Sequence, residues 1–149
     1  MTFPPAVAAE DLPGGPVQPL PLVSLLSADF WSGGAKGELR ILRCQDCGFY
    51  VHPPRPVCAR CLSRRLEPEA VSGNASVYTF SINVQPWYPG QSVPYVVAIV
   101  ELPEQAALRL TTNILGCGVD DVAIGMAVRA VFVEVEDVFI PMFEPGVAT

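Results

Sequence analysis

The stretch CQDCGFYVHPPRPVCARC, residues 44–61, decides the fold of this chain. It contains two Cys-x-x-Cys pairs, Cys44/Cys47 and Cys58/Cys61, and ten residues lie between the pairs. Four thiolates on two tight turns suit a tetrahedral zinc ion, so the sequence predicts one metal-stapled domain holding a single ion. Because four cysteines leave no coordination position for water or substrate, we expect this zinc to stabilise the fold and not to catalyse a reaction.

The residues around this motif predict how the chain is organised. Ser27 is expected to cap a short helix that ends at Gly33-Gly34. An alternating strand over residues 37–43 leads into the first cysteine pair, and Gly48 is expected to take a positive φ after that pair. The predicted segments are a proline-rich extended N-terminus, a short helix, a zinc ribbon and a β domain, over residues 1–26, 27–36, 37–70 and 71–149.

Downstream of the ribbon, the sequence is typical of β-strands. Five strands are predicted, over residues 77–84, 95–102, 108–114, 126–135 and 138–143. One face of the first strand is expected to carry Tyr78, Phe80, Ile82 and Val84. The second strand is apolar enough to be buried on both faces or to lie at a contact, and Pro141 confines the last strand to an edge. Five short strands indicate a small Greek-key barrel of the OB type, and hence a mainly β fold.

Composition and charge narrow the possible functions. Half of the residues are hydrophobic and 16% are charged, so some apolar surface is expected to meet another subunit. Seven basic residues lie between Lys36 and Arg65, whereas residues 66–149 hold ten acidic residues against Arg109 and Arg129. An acidic barrel repels a phosphate backbone, which disfavours a nucleic-acid-binding module. Free thiols and the lack of a basic, apolar leader or a long apolar run predict a cytoplasmic protein without a membrane span.

Isolated polar residues offer little support for catalysis. His52 is expected to pack in a loop rather than to bind the metal, because four thiolates are already available. Cys117 is a candidate nucleophile only if a base lies close to it, and packing in a turn is the simpler interpretation. Asp120-Asp121 resembles a carboxylate pair, but adjacent acids in a loop more often face solvent or cap a turn.

A series of motifs, in a fixed order along the chain, resembles that of a known protein family. Between residues 37 and 61 the order is Gly-Glu-Leu-Arg-x-x-Arg-Cys-x-x-Cys-Gly, followed by Pro-Pro-Arg-Pro-x-Cys-x-x-Cys. Val71-Ser72-Gly73, the run Ser76–Phe80 and the run Pro94–Ala98 continue it. From about Ser27 to Pro145, the chain resembles the zinc-ribbon/OB-fold family of acyl-CoA-associated proteins, domain of unknown function 35.

The resemblance implies a fold, a metal site and a role. It implies a helical N-terminus, a rubredoxin-like ribbon and an OB barrel, with zinc held by Cys44, Cys47, Cys58 and Cys61. Family members sit beside thiolase-superfamily enzymes, including thiolases, lipid-transfer-type aldolases and acyltransferases. There they are required, non-catalytic subunits of hetero-oligomers that help to shape the acyl-CoA path. By the same resemblance, this chain is not expected to be an enzyme by itself, and its pathway belongs to lipid or steroid metabolism.

Two sets of residues are candidates for contacts in such a complex. Guanidinium groups suit CoA phosphates, although plain surface charge near the metal site is the simpler explanation. The candidates are Arg40, Arg43, Arg55 and Arg60. Phe30 and Trp31 are candidates for the partner interface, with packing onto the ribbon as the alternative. A free-standing acyl-CoA-binding protein is the main alternative function. The sequence does not specify which thioester is used.

Overall fold

The computed structural model describes residues 19–147, so most of the proline-rich N-terminus lies outside the described residues. The described chain begins without regular structure and reaches helix α1 at Ala28–Ser32. Ser27 occupies the N-cap position, but its side chain makes no capping bond and accepts a hydrogen bond from the Ser24 N–H at 2.9 Å. The position of the N-cap is therefore confirmed, but the hydroxyl closes the preceding turn and does not cap the helix.

The helical conformation ends more gradually than the predicted stop at Gly33-Gly34. The α-helix ends at Ser32, and a 3-10 helix continues over Gly33–Lys36 before Gly37 adopts φ 68°. Gly34 in this 3-10 helix lies against the barrel, where an added Cβ would stand 2.4 Å from the Phe139 Cβ. This glycine therefore allows close packing of the helical segment against the barrel, besides helping to end the helix.

The ribbon is a three-stranded antiparallel sheet in the order β2-β1-β3. Its strands are β1 Leu39–Cys44, β2 Tyr50–Val51 and β3 Leu66–Val71. The alternating pattern predicted β1, whereas β2 and β3 are additional strands. Pro68 lies in β3, an edge strand, where a missing N–H is tolerated.

The second sheet is antiparallel, with the order β6-β5-β4-β7-β8. Its strands are β4 Asn74–Asn83, β5 Tyr95–Glu101, β6 Arg109–Asn113, β7 Ala127–Val135 and β8 Val138–Pro145. A parallel bridge between Ile114 and Phe143 joins the two ends of this order, and the Leu115 N–H donates to the Phe143 carbonyl at 2.8 Å. The five strands thus close into the predicted OB-type barrel, and Pro141 lies on the expected edge strand.

The first two predicted barrel strands differ in detail from those of the structure. Strand β4 begins at Asn74, and a bulge between Val77 and Thr79 changes its facing. The bulge leaves Tyr78 without a partner on β5, so the expected common face of Tyr78, Phe80, Ile82 and Val84 is interrupted at Tyr78. Val77 is buried and Tyr78 is exposed. Strand β5 alternates between buried and half-buried residues, so burial on both faces is not found, while the alternative of a contact on the half-buried face stays a prediction.

The ribbon and the barrel share one hydrophobic core. Leu39 and Ile41 of β1 are 1% exposed and belong to the same cluster as the barrel residues Val100 and Phe143. The Gln105 side chain adds a polar link, because its amide accepts from the Tyr50 N–H at 2.8 Å and donates to the Tyr50 carbonyl at 3.1 Å. Burial and these hydrogen bonds fix the ribbon against the barrel.

Candidate metal centre and surrounding surfaces

Two backbone turns of the same design present the four cysteines. In each turn, the N–H of the residue after the second cysteine donates to the carbonyl of the first: Gly48 to Cys44 and Leu62 to Cys58, both at 2.9 Å. Gly48 has φ 78°, as expected, and Leu62 has φ 65°. The second turn therefore holds a leucine in the left-handed region, which is less favourable than glycine there.

The four sulfurs form a cluster of the size that a tetrahedral metal requires. All four lie within 4.8 Å of one another, with 3.5 Å between Cys44 and Cys61 and 3.7 Å between Cys47 and Cys58. Bonds of about 2.3 Å to a tetrahedral ion place sulfurs about 3.8 Å apart. Cys44 and Cys58 are buried, whereas Cys61 is exposed. The cysteines are therefore positioned to bind a metal, and the ion would be shielded on one side.

The thiols of this cluster differ in acidity. The Cys47 backbone N–H is the main reason that the pKa of Cys44 is lowered to about 6. Burial raises the pKa of Cys58, but backbone N–H groups of Cys61 and Arg60 outweigh it and the net shift is downward. At Cys61 the Ser63 N–H lowers the pKa, yet burial and the neighbouring thiols together raise it to about 12. A bound cation is therefore needed for all four to be thiolates together.

Of the four arginines predicted to bind CoA phosphates, two have partners within the chain and two have none among the described residues. Arg40 donates to the Pro68 carbonyl at 3.2 Å, and Arg43 donates to the Gly48 carbonyl at 3.0 Å. Arg43 also lies over the Tyr50 ring, 4.8 Å from its centroid. Arg55 and Arg60 are exposed, and their guanidinium groups have no hydrogen-bond or ion-pair partner among residues 19–147. The first pair thus supports the ribbon sheet, while the second is available to a ligand.

Phe30, Trp31 and His52 lie together on one side of the ribbon. Phe30 contacts Trp31 edge to face at 4.8 Å and also packs against His52 at 5.0 Å, measured between ring centroids. All three line a cavity of about 390 Å³ next to strand β6. Burial lowers the pKa of His52 to about 4, so it is neutral at physiological pH. His52 packs in its loop as expected, while a partner contact by Phe30 and Trp31 stays a prediction.

The surroundings of Asp121 and Cys117, the other polar candidates, indicate structural roles. The Asp121 carboxylate accepts from the Gly118 N–H at 3.2 Å, closing a short 3-10 turn over Val119–Asp121. Burial, followed by the charge of Asp121, raises the pKa of Cys117. A raised thiol pKa is the opposite of what a nucleophile needs, so packing in the turn is the better interpretation of Cys117.

Two features of the structure, the contact of Gln105 and the exposure of Trp87, were not predicted from the sequence. The Gln105 bridge joins residues 55 positions apart, and no local pattern announces such a pair. Trp87, in the loop between β4 and β5, is 72% exposed although it is a large aromatic residue. The sequence does mark the uncharged segment around Trp87, because no charged residue occurs from Ala70 to Val100.

Fold and sulfur geometry together define a zinc-ribbon/OB-fold protein. The ChsH2 rubredoxin-like zinc ribbon domain matches residues 31–67, and the ChsH2 C-terminal OB-fold domain matches residues 68–133. A DUF35 domain-containing scaffold protein of Methanocaldococcus jannaschii is 41% identical over 99 residues, covering 64% of this chain and 68% of that protein. The chain therefore belongs to the DUF35 family, with the ribbon and barrel of ChsH2, as the sequence motifs indicated.

Two further relatives are similar over most of this chain. A probable enoyl-CoA hydratase alpha subunit of Thermomonospora curvata is 33% identical over 132 residues, covering 88% of this chain and 41% of that subunit. The chain thus spans about two fifths of this hydratase subunit's length. A solved structure described as Ltp2-ChsH2(DUF35) aldolase matches with TM-score 0.77 and 33% identity, covering 86% of this chain and 100% of that chain. In residues 19–147, no helix has both the length and the hydropathy needed to cross a bilayer.

Proposed function

We propose that this chain is a non-catalytic subunit that completes a thiolase-superfamily enzyme acting on acyl-CoA thioesters. The observation that carries the proposal is the likeness to a DUF35 chain of an Ltp2-ChsH2 aldolase, which this chain covers in full. A likeness to an enoyl-CoA hydratase alpha subunit supports CoA thioesters as the substrate class. The thiolase-type partner supplies the groups that make or break the carbon–carbon bond, while this chain supplies apolar surface and one wall of the acyl-CoA path.

The metal in this proposal is a single structural zinc ion held by Cys44, Cys47, Cys58 and Cys61. The sulfur spacing and the match to a zinc ribbon domain support this identity. When bound, the ion draws four thiolates together and stabilises the ribbon on which the barrel packs. Elemental analysis of the purified protein tests the assignment: one zinc per chain is expected, and a different metal or a ratio near two would contradict it.

Arg55 and Arg60 are the favoured candidates of the four arginines for CoA phosphates, because Arg40 and Arg43 already have intramolecular partners. The test is an Arg55→Gln/Arg60→Gln double variant in the assembled complex, with Arg129→Gln as the matched control. Arg129 is also exposed but pairs with Glu144 on the barrel at 2.7 Å. A rise in the dissociation constant for the CoA thioester, restricted to the double variant, is expected. Unchanged affinity would remove both arginines from the site.

Purification of the tagged chain from its own cells tests the subunit role. A thiolase-fold chain at fixed stoichiometry is expected, and identification of that chain would define the substrate. A free-standing acyl-CoA-binding protein would instead purify alone and titrate with an acyl-CoA in the absence of a partner. That result, with no thiolase-fold chain recovered, would overturn the proposal.

A further inference from the structure

Two segments of the described chain that lie close together contain no charged side chain. Neither the segment from Pro19 to Ala28 nor the segment from Ala70 to Val100 holds an Asp, Glu, Lys or Arg residue. The first segment approaches helix α1, and the second forms strands β4 and β5 with the loop between them. Pro19 and Trp87 line one cavity of about 400 Å³, so the two segments meet in space. We call the surface that they form together the neutral surface.

The neutral surface exposes large apolar side chains. Leu22 and Leu25 are 93% and 98% exposed, and Val84 and Trp87 are 70% and 72% exposed. Apolar residues that stand this far into solvent gain nothing from the fold of the isolated chain. The cores of protein–protein interfaces are depleted in charged residues and enriched in aromatic ones, which is the composition found here.

The loop between β4 and β5 is built to hold the Trp87 ring outward. The Trp87 indole N–H donates to the Asn83 side chain at 3.1 Å, and its backbone N–H donates to the Gln91 side chain at 2.6 Å. Gln91 in turn donates to the Tyr95 hydroxyl at 3.1 Å. Since both N–H groups of Trp87 donate to side chains of Asn83 and Gln91, covering the ring leaves no donor unsatisfied. A fixed, exposed tryptophan is the kind of anchor that dominates binding energy.

We propose that the neutral surface, with Trp87 as its anchor, is where this chain docks onto its enzyme partner. The inference rests on the proposed function and extends it by naming the contact. The matching patch on the thiolase-superfamily subunit is apolar, uncharged and indented to take an indole ring. Phe30 and Trp31 then act as internal supports, because they pack against each other and Phe30 also packs against His52.

Charge argues against two other occupants of the neutral surface. A second copy of this chain would bring together two barrel domains, each of which holds eight acidic residues against two arginines over residues 71–149. Their mutual repulsion opposes self-association through this surface. A lipid headgroup layer would be favoured by flanking lysine or arginine, and neither segment contains one.

The test uses the full-length chain and the purified thiolase-fold chain that it recovers from its own cells. The variants are Trp87→Ala and the double variant Leu22→Ser/Leu25→Ser. Ile124→Ser is the matched control, because Ile124 is 70% exposed but lies outside the neutral surface. All sites are on the surface, and thermal unfolding checks that each variant keeps its fold. A dissociation constant raised about 30-fold or more is expected for Trp87→Ala, with the control within about 3-fold.

The possible results separate this inference from the proposed function. If the wild-type chain binds the thiolase-fold chain and both neutral-surface variants bind as tightly as Ile124→Ser, the docking surface is overturned while the proposed function stands. If the wild-type chain recovers no thiolase-fold chain, both are overturned. Dimerisation of the isolated chain in sedimentation experiments, or binding to phosphatidylcholine vesicles, would overturn the assigned occupant if Trp87→Ala abolished it.

Discussion

The ribbon and the barrel are stabilised by different physical means. The ribbon has short strands and a four-sulfur cluster, whereas the barrel has five strands around a continuous apolar core. Ion binding fixes the ribbon locally, through residues only three positions apart in each pair. The barrel depends on long-range closure, since Ile114 meets Phe143 across the β6–β8 seam. One chain thus joins a metal-dependent unit to a core-dependent unit through a shared cluster of apolar residues.

Removal of a metal ligand is expected to produce the largest effect. Cys58 is 0% exposed, and Cys58→Ser should abolish stoichiometric metal binding and unfold the ribbon, because metal binding supplies about 10 kcal/mol or more in such sites. Elemental analysis and amide hydrogen exchange over residues 39–71 measure the two consequences. Cys117→Ser is the control, since Cys117 lies outside the cluster and should keep the metal. Full metal content in Cys58→Ser would refute a four-cysteine site.

Shortening a buried side chain at the barrel seam is expected to have the next largest effect. Phe143 is 0% exposed and lies in the shared core, so Phe143→Ala should lower the free energy of unfolding by about 3–5 kcal/mol. Denaturant unfolding of the zinc-loaded protein provides the measurement, with Ile124→Ala as an exposed control. If the metal dominates the stability of the whole chain, the two variants will unfold alike and the proposed division between the units will fail.

Acid is expected to weaken the packing of His52. Burial holds the folded-state pKa of His52 at about 4, below the ordinary value of 6.5. The unfolded chain therefore binds a proton at a higher pH than the folded chain does. The stability that the neutral, buried His52 contributes is fully present above about pH 6.5 and is lost as the pH falls towards 4. The shift corresponds to about 3 kcal/mol at most. Unfolding free energies of wild type and His52→Gln, compared from pH 7 to pH 4.5, should converge as the pH falls; a constant difference would contradict the buried, neutral imidazole.

The smallest predicted effect concerns the polar link between the two units. Gln105→Ala removes both hydrogen bonds to Tyr50 and should lower stability by about 1–2 kcal/mol. The amide of Tyr50 should exchange faster in this variant, while amides of the β7–β8 ladder keep their protection. Gln85→Ala is the control because Gln85 is exposed in the β4–β5 loop. Equal exchange at Tyr50 in both variants would show that Gln105 does not couple the ribbon to the barrel.

How much the sequence predicts also differs between the two units. Cysteine spacing predicts the metal cluster and the two turns of the ribbon, because metal ligands need fixed local offsets and Gly48 marks the first turn, but it does not predict β2 and β3. In the barrel, alternation predicts the strands but not the bulge after Val77, which depends on how β4 leaves β7 for β5. The engagement of Arg40 by Pro68 likewise follows from strand pairing across the ribbon, which a linear pattern does not contain.

The measurement that tests the central claim most directly is acyl-CoA turnover by reconstituted components. The thiolase-fold chain that this protein recovers would be assayed alone, with the wild-type chain, and with the Cys58→Ser variant; the wild-type chain would also be assayed alone. We expect turnover only where the thiolase-fold chain and the zinc-loaded wild-type chain are combined. Turnover by this chain alone, or undiminished turnover by the partner without it, would contradict the account.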